Sequence, residues 1–133
     1  MIGVDTNILL RFALRDDAAQ FPAASAFLED ASRLDEPAVV CPVALVEFVW
    51  TLMRRHRFSK HRVIDILDAL TDSGRVIYSD DSLIRDCVDQ WRVGDADLPD
   101  YLIAALNLHA GARTTLTFDQ TAAQEPGFSL LPS

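Results

Sequence analysis

The chain carries four short apolar runs: Ile2-Gly3-Val4, Ala38-Val39-Val40-Cys41, Arg75-Val76-Ile77-Tyr78 and Thr114 to Phe118. Between them lie stretches in which apolar residues recur at helical spacing, as Ile8, Leu9, Phe12 and Ala13 do after the first run. Strand and helix therefore alternate. Short apolar strands separated by amphipathic helices favour an α/β fold, a central and mainly parallel sheet of four to five short strands with helices on both faces. Pro22 opens a second helix through Leu28 to about Leu34, which Asp35-Glu36-Pro37 breaks. Pro42 starts a long helix, Val43 to about Arg57, apolar on almost every side and so expected to be buried or to pack against a partner. Ser59 caps a helix to Thr71, Gly74 closes it, Ser79 or Asp80 caps another to about Arg92, and Asp97-Leu98-Pro99-Asp100 begins one ending at Gly111. A short turn follows Asp119, and Phe128 to Leu131 reads as a final edge strand.

With 133 residues and no linker, repeat or low-complexity tract, residues 1–133 are expected to form a single domain. Twelve Lys and Arg against 20 Asp and Glu leave a net charge of −8, which argues against a nonspecific electrostatic grip on nucleic acid as the main activity. It does not exclude a nucleic-acid enzyme whose carboxylates hold a cation. Cys41 and Cys87 lack metal or redox spacing and read as buried free thiols. The amino terminus has no export-signal pattern, and the most apolar stretch, Val39 to Met53, is interrupted by Pro42 and Glu47, so a cytoplasmic location and no membrane association are expected.

In parallel α/β sheets, ligands bind beyond the carboxyl ends of the strands. Four acids fall there: Asp5 after the first strand, Glu47 in the helix after the second, Asp100 in the first turn of a later helix, and Asp119 after the fourth strand. Each has a plain structural alternative. Asp5 can cap the helix from Thr6, Asp97 and Asp100 can form a capping box, and Asp119 can form a turn. Glu47, crowded by Leu45, Val46, Phe48, Val49 and Trp50, is harder to explain this way, because a buried unpaired carboxylate costs several kcal/mol. Carboxylates meeting at one edge would repel one another unless a cation neutralised them, and an all-oxygen set suits Mg²⁺ or Mn²⁺.

Four segments, Ile2-Gly3-Val4-Asp5-Thr6-Asn7-Ile8-Leu9, Val43-Ala44-Leu45-Val46-Glu47-Phe48, Asp97-Leu98-Pro99-Asp100-Tyr101-Leu102-Ile103-Ala104-Ala105 and Thr115-Leu116-Thr117-Phe118-Asp119, occur in that order. Together they resemble the PIN-domain family of metal-dependent ribonucleases, and specifically the VapC-type toxins of bacterial toxin–antitoxin pairs. The resemblance implies that Asp5, Glu47, Asp100 and Asp119 form an acidic catalytic and metal site for Mg²⁺ or Mn²⁺, with Asp5 and Asp100 as direct ligands. It implies supporting roles for Thr6, Asn7, Asp97 and Thr117, and hydrolysis of RNA phosphodiesters to a 5′-phosphate and a 3′-hydroxyl. A small antitoxin and a homodimeric state are implied partners. Tyr101 stands where the family often has a small residue, which would narrow the groove or stack on a base. After Asp119 the chain runs Gln120-Thr121-Ala122-Ala123, without the aromatic often found there.

Arg54, Arg55, Arg57, Lys60 and Arg62 concentrate five of the twelve basic residues in one segment, either as RNA phosphate contacts or as a solvated helix end. Trp50 reads as core or interface. Two other functions compete: a phospho-acceptor receiver domain, which would need a lysine after its last strand although Lys60 is the sole lysine, and a PIN-like domain that binds RNA or a protein without cleaving.

Overall fold

In the computed structural model, residues 1–15, 20–33 and 36–133 are described, the side chains of residue 20 and residues 31–33 excepted. The chain folds as two compact units, Met1–Asp81 and Ser82–Ser133. The first holds β1 (Ile2–Gly3), α1 (Thr6–Leu14), α2 (Gln20–Arg33), β2 (Ala38–Val40), α3 (Pro42–Trp50), a π-helical turn (Thr51–Arg55), α4 (Lys60–Asp72) and β3 (Val76–Tyr78). Its strands form one parallel sheet in the order β1-β2-β3, with Ile2 opposite Ala38 and Ala38 opposite Val76. The carboxyl ends of all three therefore lie at one edge. The ladder runs on past the strands there, Val4 N–H donating to Val39 O and Ser79 N–H to Val40 O, each at 3.0 Å.

The local chemistry of each helix start is visible. The Asp5 carboxylate accepts from the Asn7 and Ile8 amides and caps α1. Pro42 at the start of α3 has no amide to leave unpaired there, and Ser59 Oγ accepts from the Arg62 amide at 3.1 Å to open α4. Gly74, at φ 76°, takes the left-handed turn that ends α4 and leads into β3. Leu9, Val40, Leu45, Leu67, Val76 and Tyr78 converge around a void of about 10 Å³, too small to loosen the packing.

The second unit contains most of α5 (Asp81–Val93), then α6 (Leu98–His109), β4 (Thr115–Thr117), a 3₁₀ turn (Ala122–Gln124) and β5 (Phe128–Leu130). β4 and β5 pair in parallel, Thr115 opposite Phe128. Ile84, Cys87, Trp91, Leu98, Tyr101 and Leu102 are buried.

Several expectations need correction. Five strands form, but as a three-stranded and a two-stranded sheet, so the first sheet is narrower than the four to five strands expected. Strands of two or three residues announce themselves by apolar composition, whereas their pairing is non-local and carries no mark in the sequence. The long helix to Arg57 ends as α3 at Trp50, widens into the π turn, and stops at His56, with Arg57 in the left-handed region at φ 60°. It is also not buried all round: Val43 is 75% exposed and Trp50 55%, so Trp50 is not core. Cys41, at the start of α3, is exposed rather than buried; Cys87 is buried as expected, and burial, with the charge of Asp86, pushes its thiol up to about 11. Leu34 and Asp35, at the foreseen end of the second helix, lie outside the described residues.

Phe48 has no exposed surface. Phe48→Ala is expected to lower the unfolding free energy by about 3–5 kcal/mol, measured by urea denaturation, whereas Val43→Ala on the exposed side of the same helix is expected to change it by less than about 0.5 kcal/mol.

Candidate active site

In the first unit, two of the four acids are placed by the parallel sheet. Asp5 follows β1, and Glu47 sits about one and a half turns into α3, which follows β2. The Thr6 hydroxyl, buried, donates to Ala44 O at 3.4 Å and ties the residue after Asp5 to the turn of α3 before Glu47. Glu47 is exposed, against the expectation of a crowded carboxylate. The reason is periodic: Val43, Glu47 and Trp50, at i, i+4 and i+7, share one exposed stripe, while Leu45, Phe48, Val49 and Leu52 take the buried side. Its place therefore involves no burial cost. Beside Asp5, the side chains of Asn7, Ile8, Arg11, Ala23, Ala24 and Phe27 complete the lining of an open groove of about 550 Å³ along α1 and α2.

In the second unit, Asp97 caps α6 and Asp100 stands in its first turn. Asp100 Oδ2 accepts from the Asp97 amide at 3.3 Å, so the capping-box alternative is realised. Burial raises the Asp100 carboxyl above its ordinary value, and the charges of Asp97 and Asp119 add to this against the Asp97 hydrogen bond. Asp119 follows β4; its amide donates to Thr117 Oγ1 at 3.0 Å, and its Oδ1 accepts from the Thr121 and Ala122 amides at 2.8 and 3.1 Å. Thr117 thus accepts from the amide of Asp119, and Asp119 is the turn-former of its structural alternative.

The capping bonds occupy Oδ1 of Asp5 and of Asp119, and a carboxylate has a second oxygen and about four acceptor sites in all. A cap and a cation ligand are compatible in one residue. Carboxylate oxygens are the donors that suit a hard divalent cation, so the chemistry of each of these acids fits one. Among the described residues, no three His, Cys, Asp or Glu side chains already converge closely enough to hold a metal ion.

Tyr101 corrects a further expectation. It is 2% exposed, so its ring neither narrows a groove nor stacks on a base; its hydroxyl accepts from the Ala96 amide at 3.3 Å. Sequence reasoning also missed Gly94 and Glu125. A Cβ on Gly94 would overlap the Tyr101 hydroxyl, and Glu125 Oε1 accepts from the Asp95 amide at 3.3 Å. Neither lies in a motif, and the only cue was a glycine closing α5 six residues before Asp100.

The basic segment divides in two. Arg62 lies over the Phe58 ring, 3.7 Å from its centroid, and His56 meets the same ring edge-on. Arg54, Arg55 and Arg57, on and after the π turn, are exposed. His61 pairs with Asp65 at 3.4 Å one turn on.

A family model for the PIN domain matches residues 2–125. The chain belongs to the PIN-domain family, whose members are typically nucleases that use divalent metal ions. No curated protein matches the chain significantly. No described helix is long and apolar enough to cross a membrane.

The raised carboxyl of Asp100 sets the sign of a pH effect. The folded state holds this proton more tightly than the unfolded chain, so between the ordinary value of 3.8 and the raised one, stability falls as pH rises, and the penalty persists at neutral pH. Asp100→Asn, which keeps the size and an acceptor oxygen, is expected to be at least as stable as the parent at pH 7 without divalent ions. Its advantage is expected to shrink as pH falls below 4, in thermal melts from pH 3 to 8 with EDTA.

Proposed function

We propose that the protein is a metal-dependent endoribonuclease that hydrolyses RNA phosphodiester bonds, the toxin of a VapBC-type toxin–antitoxin pair. The observation that carries the reading is the placement of the acids within a PIN-family chain: Asp5 and Glu47 at one end of a parallel sheet, and Asp100 coupled by charge to Asp97 and Asp119. In this reading Asp5, Glu47, Asp100 and Asp119 are the catalytic and metal-binding set, Asp5 and Asp100 being direct ligands of Mg²⁺ or Mn²⁺. When bound, such an ion stabilises charge on a phosphoryl oxygen and makes water a stronger nucleophile. Glu47, exposed and unencumbered by burial, takes up the proton of the attacking water. Thr6, Asn7, Asp97 and Thr117 orient the acids through the bonds described above. RNA is the substrate, and the open groove beside Asp5 lies where its strand would pass.

Arg54, Arg55 and Arg57, with Lys60 and Arg62 behind them, supply phosphate contacts. Their exposure on a chain of net charge −8 supports this role. The resemblance of the four motifs to VapC-type toxins supports a small antitoxin as partner, a homodimer, and a cytoplasmic site of action.

Two outcomes are expected. RNA cleavage requires Mg²⁺ or Mn²⁺, stops on chelation, resumes on adding metal back, and is lost in Asp5→Asn; undiminished cleavage in excess EDTA overturns the mechanism. Changing Arg54, Arg55 and Arg57 together to Ala is expected to weaken single-stranded RNA binding and to flatten the slope of log affinity against log salt by about 2, in fluorescence titrations at several salt concentrations.

A further inference from the structure

Three successive backbone amides between α5 and α6 are held by three different side chains. Asp95 N–H donates to Glu125 Oε1, Ala96 N–H to the Tyr101 hydroxyl oxygen, and Asp97 N–H to Asp100 Oδ2, each at 3.3 Å. Burial first, and then the neighbouring Glu125, hold the Tyr101 phenol above its ordinary value, so the side chains that hold the first two amides are neighbours. Gly94 opens the segment, and the space a side chain would take there is filled by the Tyr101 hydroxyl. Both Tyr101 and Ala96 are buried.

This arrangement does more than start a helix. With Asp97 as the cap, the groups that need capping are the amides of the first turn of α6. Asp95 and Ala96 precede the cap, and satisfying their amides adds nothing to the helix itself. What it fixes is the path along which the chain enters α6, and hence where Asp97 and Asp100 stand. An ordinary buried tyrosine packs a core and finds any one partner for its hydroxyl. Here the hydroxyl accepts from the entering backbone, beside a carboxylate that holds the preceding amide.

We propose that Tyr101 and Glu125 are positioning residues that fix the segment 95–97, and through it the Asp97 and Asp100 carboxylates, for cation binding. The proposal rests on the reading that Asp100 helps to hold a divalent ion. Glu125 is itself an acid, but it serves as an acceptor for the Asp95 amide.

The test is Mn²⁺ affinity by calorimetry on the full chain, with amide hydrogen exchange at residues 95–97, in Tyr101→Phe, Glu125→Ala, Asp100→Ala and the core control Val63→Ala. Tyr101→Phe is expected to weaken Mn²⁺ binding roughly tenfold and to speed exchange at Ala96, while raising Mn²⁺ restores cleavage. Glu125→Ala is expected to do the same with faster exchange at Asp95, and it decides the question if Tyr101→Phe does not fold. Val63→Ala lowers the melting temperature without changing affinity. Unchanged affinity in the Tyr101 and Glu125 variants, with affinity lost in Asp100→Ala, overturns the positioning role alone. Unchanged affinity in Asp100→Ala overturns the metal-site reading and this proposal with it.

Discussion

Parallel pairing between strands of two or three residues constrains everything else in the first unit. A parallel ladder brings every strand end of the same polarity to one edge and demands a long crossover between neighbours, here supplied by helices. Such short strands make few hydrogen bonds, so the sheet is held by the helices that pack on it, through Leu9, Leu45 and Leu67 against Val40, Val76 and Tyr78. The same geometry sets Asp5 and the start of α3 at one edge, and the Thr6 bond to Ala44 O locks the two helix starts together. Architecture and the placement of Asp5 and Glu47 are one consequence of one constraint.

The acids at these positions have structural roles whatever their chemistry. Asp5 caps a helix, Asp100 closes a capping box, and Asp119 holds a tight turn, each by one oxygen to nearby amides. Such bonds fix a carboxylate's direction, which under the proposed function lowers the ordering cost of binding an ion. The charge is the liability. Asp100 shows it most plainly, held partly buried beside two like charges.

Much of this was legible in the sequence, and the failures share a cause. Each expected strand formed near its place, because a short apolar run between helical patterns has few other uses. The acids at strand ends and helix starts were found by the same logic, and their capping roles were foreseen as alternatives. Periodicity could also have placed Glu47 outward, since Val43 and Trp50 flank it at i−4 and i+3; the density of apolar neighbours masked that stripe. What the sequence did not reveal depends on distant partners: the division of five strands between two sheets, the burial of Tyr101, and the bond from Glu125 to an amide 30 residues earlier. Local pattern carries no record of such meetings.

The π turn at Thr51–Arg55 has a consequence for chain length. A turn widened from α to π geometry accommodates one residue more than an α-helix spanning the same rise, and here the extra residue falls just after the last packed turn of α3. Removing one residue between positions 51 and 55 would let the turn relax to α geometry while Leu45, Phe48 and Val49 kept their places. The residues beyond it would keep their direction around the helix axis, because the widened turn absorbs the extra residue within a single turn. Related chains can therefore differ by a single residue at this point without refolding, and such a difference would leave the aim of the chain beyond the turn unchanged.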